Sequence, residues 1–228
     1  MKKVLKGFSE KKDGSMHMAV AENAAHRKLF FEEHRLAGKQ IAVADLVHGI
    51  RVEIVTPASK YVLPETDALV TKESGIILAL TGADCFPVYF EEKTTGIIGL
   101  AHCGWRGIVT GIIGETLTGI GNMGGKMENI ALTIGPGICA EHFEIGEDTL
   151  PSFSAYSDSI IRDRNIRVDL KKIIKQQAKK AGVMNENIVD TGECTYCLRD
   201  KYFSFRRDRP KILEAQIAYI IQFPHRKF

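Results

Sequence analysis

The 228-residue sequence predicts an α+β fold. Short apolar runs of strand length, separated by turn residues, follow one another between residues 40 and 102. Longer segments with apolar residues at helical spacing lie on either side of that region. No repeat, low-complexity segment or linker interrupts the chain, so we expect a single domain over residues 1–228.

The elements of the first half follow from these patterns in chain order. Residues 20–37 are rich in Ala, Glu, Lys and Leu and stop at Gly38, which is typical of a helix closed by glycine. The predicted strands that follow are residues 40–47, 51–55, 67–71, 76–80, 86–90 and 96–101. The last three runs are the most apolar, and we therefore expect them at the centre of a sheet.

The second half mixes helices and strands. Apolar residues at helical spacing after Trp105 predict a helix that contains several glycines. The clearest helix is residues 170–182, which Asp169 can cap and Gly182 can end. The remaining predicted strands are residues 129–135, 187–190 and 214–222.

Composition limits the function classes. Charged residues make up 26% of the chain and the net charge is +3, too small to indicate nucleic acid as a partner. The N-terminus lacks the apolar run of a signal peptide, and no stretch approaches the ~20 apolar residues of a membrane span. We therefore expect a cytoplasmic protein that binds neither membrane nor nucleic acid, with its five cysteines as thiols.

Three segments end a predicted strand beside glycine and carry a metal-binding side chain at that corner. The segment AHCGWRG carries His102, TGADCFP carries Cys85, and LVHGI carries His48. Two imidazoles and a thiolate suit Zn²⁺, and three ligands from distant strands are typical of a catalytic site with an open position. Taken singly, each residue is also typical of a structural role. Cys85 can alternatively be a nucleophile with one of the histidines as its base.

Neighbouring residues supply further candidates for catalysis and substrate binding. Asp84 can act as acid or base or orient a ligand histidine, and it is equally typical of a turn-capping aspartate. Trp105 can stack on a base or simply pack behind the site. Arg106 and Arg206 lie beside glycine corners and are candidate anion ligands. The segment FSFRRD, with Arg206 and Arg207, also fits an edge strand with solvated arginines.

A Cys-x-x-Cys pair, CTYC at residues 194–197, has the spacing of a redox pair or of half a metal site. With the upstream segment HFE at residues 142–144, it is similar to the His-x-Glu…Pro-Cys-x-x-Cys signature of zinc deaminases. Glu193 stands where that signature has proline, so the second zinc site is the less supported of the two hypotheses.

Several segments together resemble a known family. They are VHG at 47–49, GADCFPV at 82–88, AHCGWRG at 101–107, IGPGIC at 134–139 and CTYC…FSFRRD at 194–208. In this order they resemble the YfiH-like family, first called multicopper polyphenol oxidase or laccase-domain and now described as zinc-dependent purine nucleoside phosphorylase. The resemblance spans roughly residues 40–222.

The resemblance carries several implications. It implies mixed β-sheets covered by helices in layers, and it assigns the metal ligands to His48, Cys85 and His102. It also implies phosphorolysis of adenosine, inosine and methylthioadenosine and deamination of adenosine, with a purine nucleoside and phosphate as partners. A second copy of the chain, as a homodimer, is a further candidate partner.

The sequence departs from the family in three places. Leu46 stands where the family usually has Gln, and the N-terminal segment FSEKKDGSMHMAVA lacks the family's Ser-Leu-Asn-Leu-Gly stretch. The Thr-Gly-Arg stretch that often follows Arg-Arg-Asp is also absent. These departures concern the substrate pocket more than the metal site.

Copper oxidase chemistry is the competing interpretation. Multicopper oxidases need several histidine-rich clusters, whereas this chain has seven histidines and no His-x-His pair, so copper is less favoured than Zn²⁺. Two further hypotheses are a hydrolase or amidase that uses Cys85 as its nucleophile, and a non-catalytic protein that binds a metabolite in the same cleft.

Overall fold

A computed structural model describes residues 3–224 of the chain. The α-helices are α1 (Asn23–Glu33), α2 (Trp105–Thr110), α3 (Ile112–Asn122), α4 (Leu170–Lys180) and α5 (Phe205–Asp208). The strands are β1 (Lys3–Phe8), β2 (Gln40–Ala44), β3 (Val52–Ile54), β4 (Val62–Leu63), β5 (Ala68–Thr71), β6 (Ile76–Gly82), β7 (Phe86–Glu92), β8 (Ile98–Cys103), β9 (Ile130–Ile134), β10 (Glu144–Ile145), β11 (Ile160–Arg162), β12 (Ile166–Val168), β13 (Ile188–Asp190) and β14 (Gln216–Phe223). Short 3₁₀ helices occupy Lys11–Asp13, Met127–Asn129, Leu150–Ser159 and Asn185–Asn187.

The strands form three sheets. Their orders are β1-β14-β6-β2-β4, β13-β9-β7-β8-β5-β3 and, in the smallest sheet, β10-β12-β11. Both large sheets are mixed, because β2 pairs parallel to β6 and β13 parallel to β9, while β14 with β6 and β7 with β8 are antiparallel. Strands β6, β7 and β8 have a neighbour on both sides, which confirms the central position expected of the most apolar runs.

Helices and sheets pack in layers, as expected. Along β6, Ile77 packs with Phe31 of α1, whereas Leu78 packs with Leu100 of the other large sheet. This alternation follows from the two-residue period of a strand. The opposite face of the six-stranded sheet packs on α3 and α4, where Ile173 is fully buried. The fold is therefore an α+β arrangement with two central sheets and helices on both outer faces; its extent as one domain over 1–228 stays a prediction.

Most predicted elements are present, with different limits. The helix predicted over 20–37 spans Asn23–Glu33, and the helix predicted after Trp105 is divided by Gly111. Gly111 has φ of 109°, a left-handed conformation that glycine adopts without steric cost, so α2 ends there and α3 begins. The predicted cap is confirmed, since the Lys172 amide donates to Asp169 Oδ1 at 2.9 Å.

The interpretation of FSFRRD as an edge strand is wrong. Its last four residues form helix α5, because the Ser204 side chain accepts a hydrogen bond from the Arg207 amide and caps the first turn. Alternating apolar and polar residues favoured a strand, but this local capping bond overrides the pattern. Among residues 3–224, no helix has the length and apolarity needed to cross a bilayer.

Candidate metal centre

His48, Cys85 and His102 come together in space. Their ligand atoms all lie within 4.8 Å of one another, and the two imidazole rings meet edge to face with centroids 4.8 Å apart. The donor set of two nitrogens and one sulfur suits Zn²⁺. The structure thus brings together the three residues that the strand ends singled out, and their role as metal ligands remains a proposal.

Each of the three side chains comes from a different part of the two large sheets. His48 lies in the loop after β2, Cys85 in the turn from β6 to β7, and His102 on β8 opposite Pro87. The turn from β6 to β7 is where the chain crosses from one large sheet to the other. His48 and Asp84 have φ of 60° and 85°, conformations that cost energy for residues other than glycine and concentrate at functional sites.

Asp67, which sequence reasoning missed, holds the two histidines in place. Its fully buried carboxylate accepts the backbone N–H groups of Val47, His48 and Gly49 at 3.2, 2.9 and 2.7 Å. It also accepts Nδ1–H of His102 at 2.9 Å, which leaves Nε2 of that ring as the ligand atom. The one signal in the sequence was a carboxylate at the start of the apolar run DALVT.

The centre is an ion pair when no metal is bound. Burial raises the pKa of the half-buried Cys85 thiol, but the charges and hydrogen bonds of His102 and His48 lower it to about 6. Burial lowers the pKa of His102, but the Cys85 thiolate and Asp67 raise it to about 9. At neutral pH these groups are a thiolate and an imidazolium, so a bound cation must displace the His102 proton.

Gly104 leaves the space that these side chains occupy. A Cβ atom at this position would lie 2.9 Å from Cδ2 of His48 and 3.1 Å from Sγ of Cys85. Its φ of −72° suits any residue, so the requirement for glycine here is one of space and not of backbone conformation. The glycine of the AHCGWRG corner therefore belongs to the centre itself.

Asp84 is nearly buried, and both of its carboxylate oxygens are occupied. They accept hydrogen bonds from Thr195 Oγ1 at 2.6 Å, Ser204 Oγ at 3.0 Å and the Arg206 amide at 2.7 Å. This arrangement favours a role in positioning the adjacent Cys85 over the proton transfer expected from the sequence.

The remaining candidates lie close in sequence to the centre but differ in availability. Trp105 is half-buried and packs near Phe153, with ring centroids 5.8 Å apart. Arg106 is exposed, and its guanidinium lies 4.4 Å from the centroid of the Trp105 ring. Arg106 is thus free to meet an anion, and the Trp105 ring supports its guanidinium.

Arg206 and Arg207, the candidate anion clamp, both donate hydrogen bonds to backbone carbonyls. Nη1 of Arg206 donates to the carbonyls of His142 and Glu144, at 3.3 and 2.9 Å. The Arg207 guanidinium donates to three backbone carbonyls and to Asp208. Both arginines lie on α5, and their guanidinium groups hold the neighbouring loops through these hydrogen bonds. The contacts of Arg206 use its Nη1 atom, and its substrate-binding role stays a prediction.

The deaminase-like signature comes together only in part. His142 and Cys197 are near each other, with Cys139 as the third member of the group. Glu144 lies on β10 and accepts a hydrogen bond from Asn165 Nδ2 at 2.9 Å. A glutamate bound in this way is not poised as the acid and base of a zinc deaminase, so the geometry gives that interpretation no support.

Comparisons with known proteins identify relatives over most of the chain. A family described as multi-copper polyphenol oxidoreductase laccase matches residues 9–221. A purine nucleoside phosphorylase from Deinococcus radiodurans is 33% identical over 83% of this chain and 72% of its own length. Adenosine deaminase RL5, from an unknown prokaryotic organism, is 31% identical over 64% of this chain and 58% of its own length.

The fold also matches a solved structure. The crystal structure of the hypothetical protein YfiH from Bacillus licheniformis superimposes with a TM-score of 0.90 and 26% identity. The match covers 96% of this chain and 92% of that chain. It confirms the predicted α+β fold and the resemblance to YfiH-like proteins.

Proposed function

The chain belongs to the multi-copper polyphenol oxidoreductase laccase family, and we propose that it is a zinc-dependent purine nucleoside phosphorylase that also deaminates adenosine. The observation that carries the proposal is the convergence of His48, Cys85 and His102, with Asp67 hydrogen-bonded to one ring. Relatives named purine nucleoside phosphorylase and adenosine deaminase support the choice of substrate.

The donor set fits Zn²⁺ better than the copper of the family description. One thiolate and two imidazoles form a three-ligand site of the catalytic zinc type, with room for a non-protein ligand beside the exposed His48. When bound there, zinc supplies a Lewis acid and lowers the pKa of bound water. Among the described residues the other candidate group contains a single histidine, which does not make the histidine-rich centres of a laccase.

Phosphorolysis joins a phosphate oxygen to C1′ of the ribose while the bond from C1′ to the purine nitrogen breaks. The bonding electrons leave with the purine, which then takes up a proton, and ribose 1-phosphate is the second product. We assign the phosphate to Arg106, since its guanidinium is exposed beside the centre and braced on Trp105. The half-buried ring of Trp105 offers an apolar surface to the nucleoside.

Adenosine deamination uses the same substrate but needs water in place of phosphate. Its support here is the relative named adenosine deaminase together with the open position expected of a three-ligand site. Asp84 positions Cys85 through its bonds to Thr195 and Ser204 and is not assigned as the base.

The test combines metal analysis with turnover. Wild type, His48→Ala and the exposed His34→Ala control are analysed for zinc and incubated with adenosine, with and without phosphate. We expect wild type and His34→Ala to bind zinc and to release adenine or inosine, and His48→Ala to lose turnover and to hold about one zinc per chain fewer than wild type. Wild-type zinc content without turnover would exclude the proposed substrates, and an unchanged zinc content in His48→Ala would exclude the proposed ligands.

The same samples test the alternative in which Cys85 is a nucleophile. Its pKa of about 6 makes it a thiolate at neutral pH, which suits either role. A Cys85→His variant preserves a zinc ligand but removes the nucleophile. Turnover retained by this variant together with zinc supports the metal role, whereas full zinc content with complete loss of turnover favours the nucleophile.

A further inference from the structure

A second group of metal-binding side chains lies where two loops meet. Cys139 and His142 lie on the loop after β9, and Cys194 and Cys197 on the loop after β13. The loops are joined by an isolated parallel bridge between Gly137 and Cys194. The ligand atoms of Cys139, His142 and Cys197 all lie within 4.8 Å of one another.

The sulfur separation distinguishes a metal site from a disulfide. Sγ of Cys139 lies 3.9 Å from Sγ of Cys197. Two thiolates bound to one tetrahedral zinc at ~2.3 Å lie roughly 3.8 Å apart, whereas a disulfide requires ~2.05 Å. The observed spacing is that of a thiol–thiol hydrogen bond, and it also matches two sulfurs around a shared ion, whereas a disulfide is excluded in this structure.

Cys194 lies beside this group and is the candidate fourth ligand. Its sulfur is not among the atoms that all lie within 4.8 Å of one another, but it is buried and accepts the Cys139 amide at 3.3 Å. Backbone N–H groups aimed at sulfur stabilise a thiolate, which is the form that binds metal.

Neighbouring side chains hold the His142 ring in place and offset the net charge of the proposed zinc site. The His142 ring stacks on Tyr196 with centroids 4.0 Å apart. Three thiolates and one Zn²⁺ leave one net negative charge. The guanidinium groups of Arg206 and Arg207 donate to carbonyls of the loops that carry the ligands. Asp208 pairs with Arg207, so Arg206 is the cation that offsets the charge of the site.

We propose that Cys139, His142, Cys194 and Cys197 form a second zinc site, with a ligand set separate from that of the first. Four protein ligands leave no open position, which is typical of a structural zinc. Binding releases the three thiol protons. Because Thr195 follows Cys194 and donates to Asp84, a zinc here fixes the loop that positions the residue next to Cys85.

The experiment counts zinc in a Cys85→Ala background, where the first centre is broken. Native mass spectrometry and elemental analysis follow purification with zinc and a reductant. We expect about one zinc per chain in Cys85→Ala, none in Cys85→Ala/Cys197→Ser, and one in the control Cys85→Ala/Cys103→Ala. Cys103 is buried in β8, outside both ligand groups, and Cys197 is exposed enough for serine to be tolerated.

Cobalt substitution adds a signature that folding defects cannot mimic. Co²⁺ in Cys85→Ala should show thiolate-to-cobalt absorption of an intensity expected for three sulfurs. In wild type loaded with Co²⁺, the absorption should correspond to four sulfurs for two sites and to one sulfur if only the first centre binds. This comparison decides the question even if the double variants do not fold.

Three results would overturn the second site. They are a Cys85→Ala protein without zinc, zinc retained after loss of Cys197, and a zinc-free protein whose mass is lower by two hydrogen atoms, which marks a disulfide. The test is independent of the proposed function, because failure of wild type to turn over adenosine leaves the zinc count in Cys85→Ala unchanged.

Discussion

Asp67 is a buried charge that is stabilised by its partners and not by solvent. Three backbone N–H groups and the His102 ring donate to its two oxygens. Burial raises its pKa, but these bonds lower it overall. A buried carboxylate with four donors is far less costly than an unpaired one. The residue therefore links the loop of His48 to the strand of His102.

Replacing Asp67 tests that link. In Asp67→Asn the amide NH₂ faces backbone donors and can no longer accept all four bonds, so we expect a 10–100-fold loss of zinc affinity. The exposed Asp45→Asn is the control and should bind zinc as wild type does. The measurement is competition with a chelator of known affinity. Equal zinc affinity in Asp67→Asn and wild type would contradict the assigned role.

The lowered pKa of Cys85 predicts how its alkylation depends on pH. Thiolate forms as pH rises through the pKa, so alkylation of the metal-free protein should reach half of its maximal rate near pH 6. Zinc should protect the thiol. Cys103, whose pKa burial raises, is the internal comparison and should stay unreacted. Mass spectrometry after timed iodoacetamide treatment reads each site, and a Cys85 midpoint near 9 would show that the histidines do not act on the thiol.

The corner between β8 and α2 carries the proposed ligand His102 and also leaves room for the side chains of the other two proposed ligands. His102 ends the strand, Gly104 precedes the helix, and Gly107 packs against the loop of His48. A Cβ on Gly107 would lie 2.8 Å from the carbonyl oxygen of Gly49. The glycines of this corner thus allow a helix to approach the metal ligands closely.

Adding one methyl group at this corner should weaken zinc binding while the protein still folds. Gly104→Ala pushes against His48 and Cys85, so we expect at least a 10-fold loss of zinc affinity in a folded protein. Gly114→Ala, within α3, meets no atom within 4 Å and should increase the free energy of unfolding by about 0.5–1 kcal/mol. Zinc titration and urea denaturation measure the two effects. Wild-type zinc affinity in Gly104→Ala would refute the steric argument.

Helix α5 depends on its cap. Ser204 is buried, accepts the Arg207 amide and donates to Asp84 at 3.0 Å. Ser204→Ala should therefore lower the free energy of unfolding by about 1–2 kcal/mol in urea denaturation. The exposed Ser152→Ala should stay within ~0.5 kcal/mol of wild type. A similar small change in both variants would mean that the cap contributes little.

In the whole molecule, the first centre lies at a crossing between the two large sheets. The His48 loop follows a strand of one sheet, His102 lies on the other, and Cys85 lies in the connection between them. A metal bound only by the folded chain stabilises it by mass action. A zinc bound at this crossing, as we propose, would therefore stabilise the packing of both layers together.

Thermal unfolding tests this consequence. Free zinc at ~100 times its dissociation constant contributes about 2.7 kcal/mol, and for a chain of this size each kcal/mol raises Tm by roughly 2–4 °C. The zinc-induced rise in Tm should therefore be about 5–11 °C larger in wild type than in His48→Ala. Calorimetry of metal-free samples with added zinc provides the measurement, and equal rises in both proteins would place zinc elsewhere.

The order of most strands and helices, and the corners that carry His48, Cys85 and His102, could be predicted from the amino-acid sequence. Strand and helix periods, capping residues and glycine corners are local features, so they can be read without knowing what lies across the molecule. The family resemblance rested on the same short segments. The first and last residues of individual helices and strands were predicted less accurately, because helix ends depend on capping hydrogen bonds that hydrophobic periodicity does not show.

Which distant groups meet became visible in the folded chain. The structure places Asp67 under the histidines, Arg206 Nη1 against backbone carbonyls, and Cys139 beside Cys197. These contacts arise where separate loops and sheets pack against each other, and no periodic pattern in the chain encodes them. A carboxylate, guanidinium or thiol takes its chemical role from its neighbours in space, since burial, hydrogen bonds and charge set its ionisation and its accessibility.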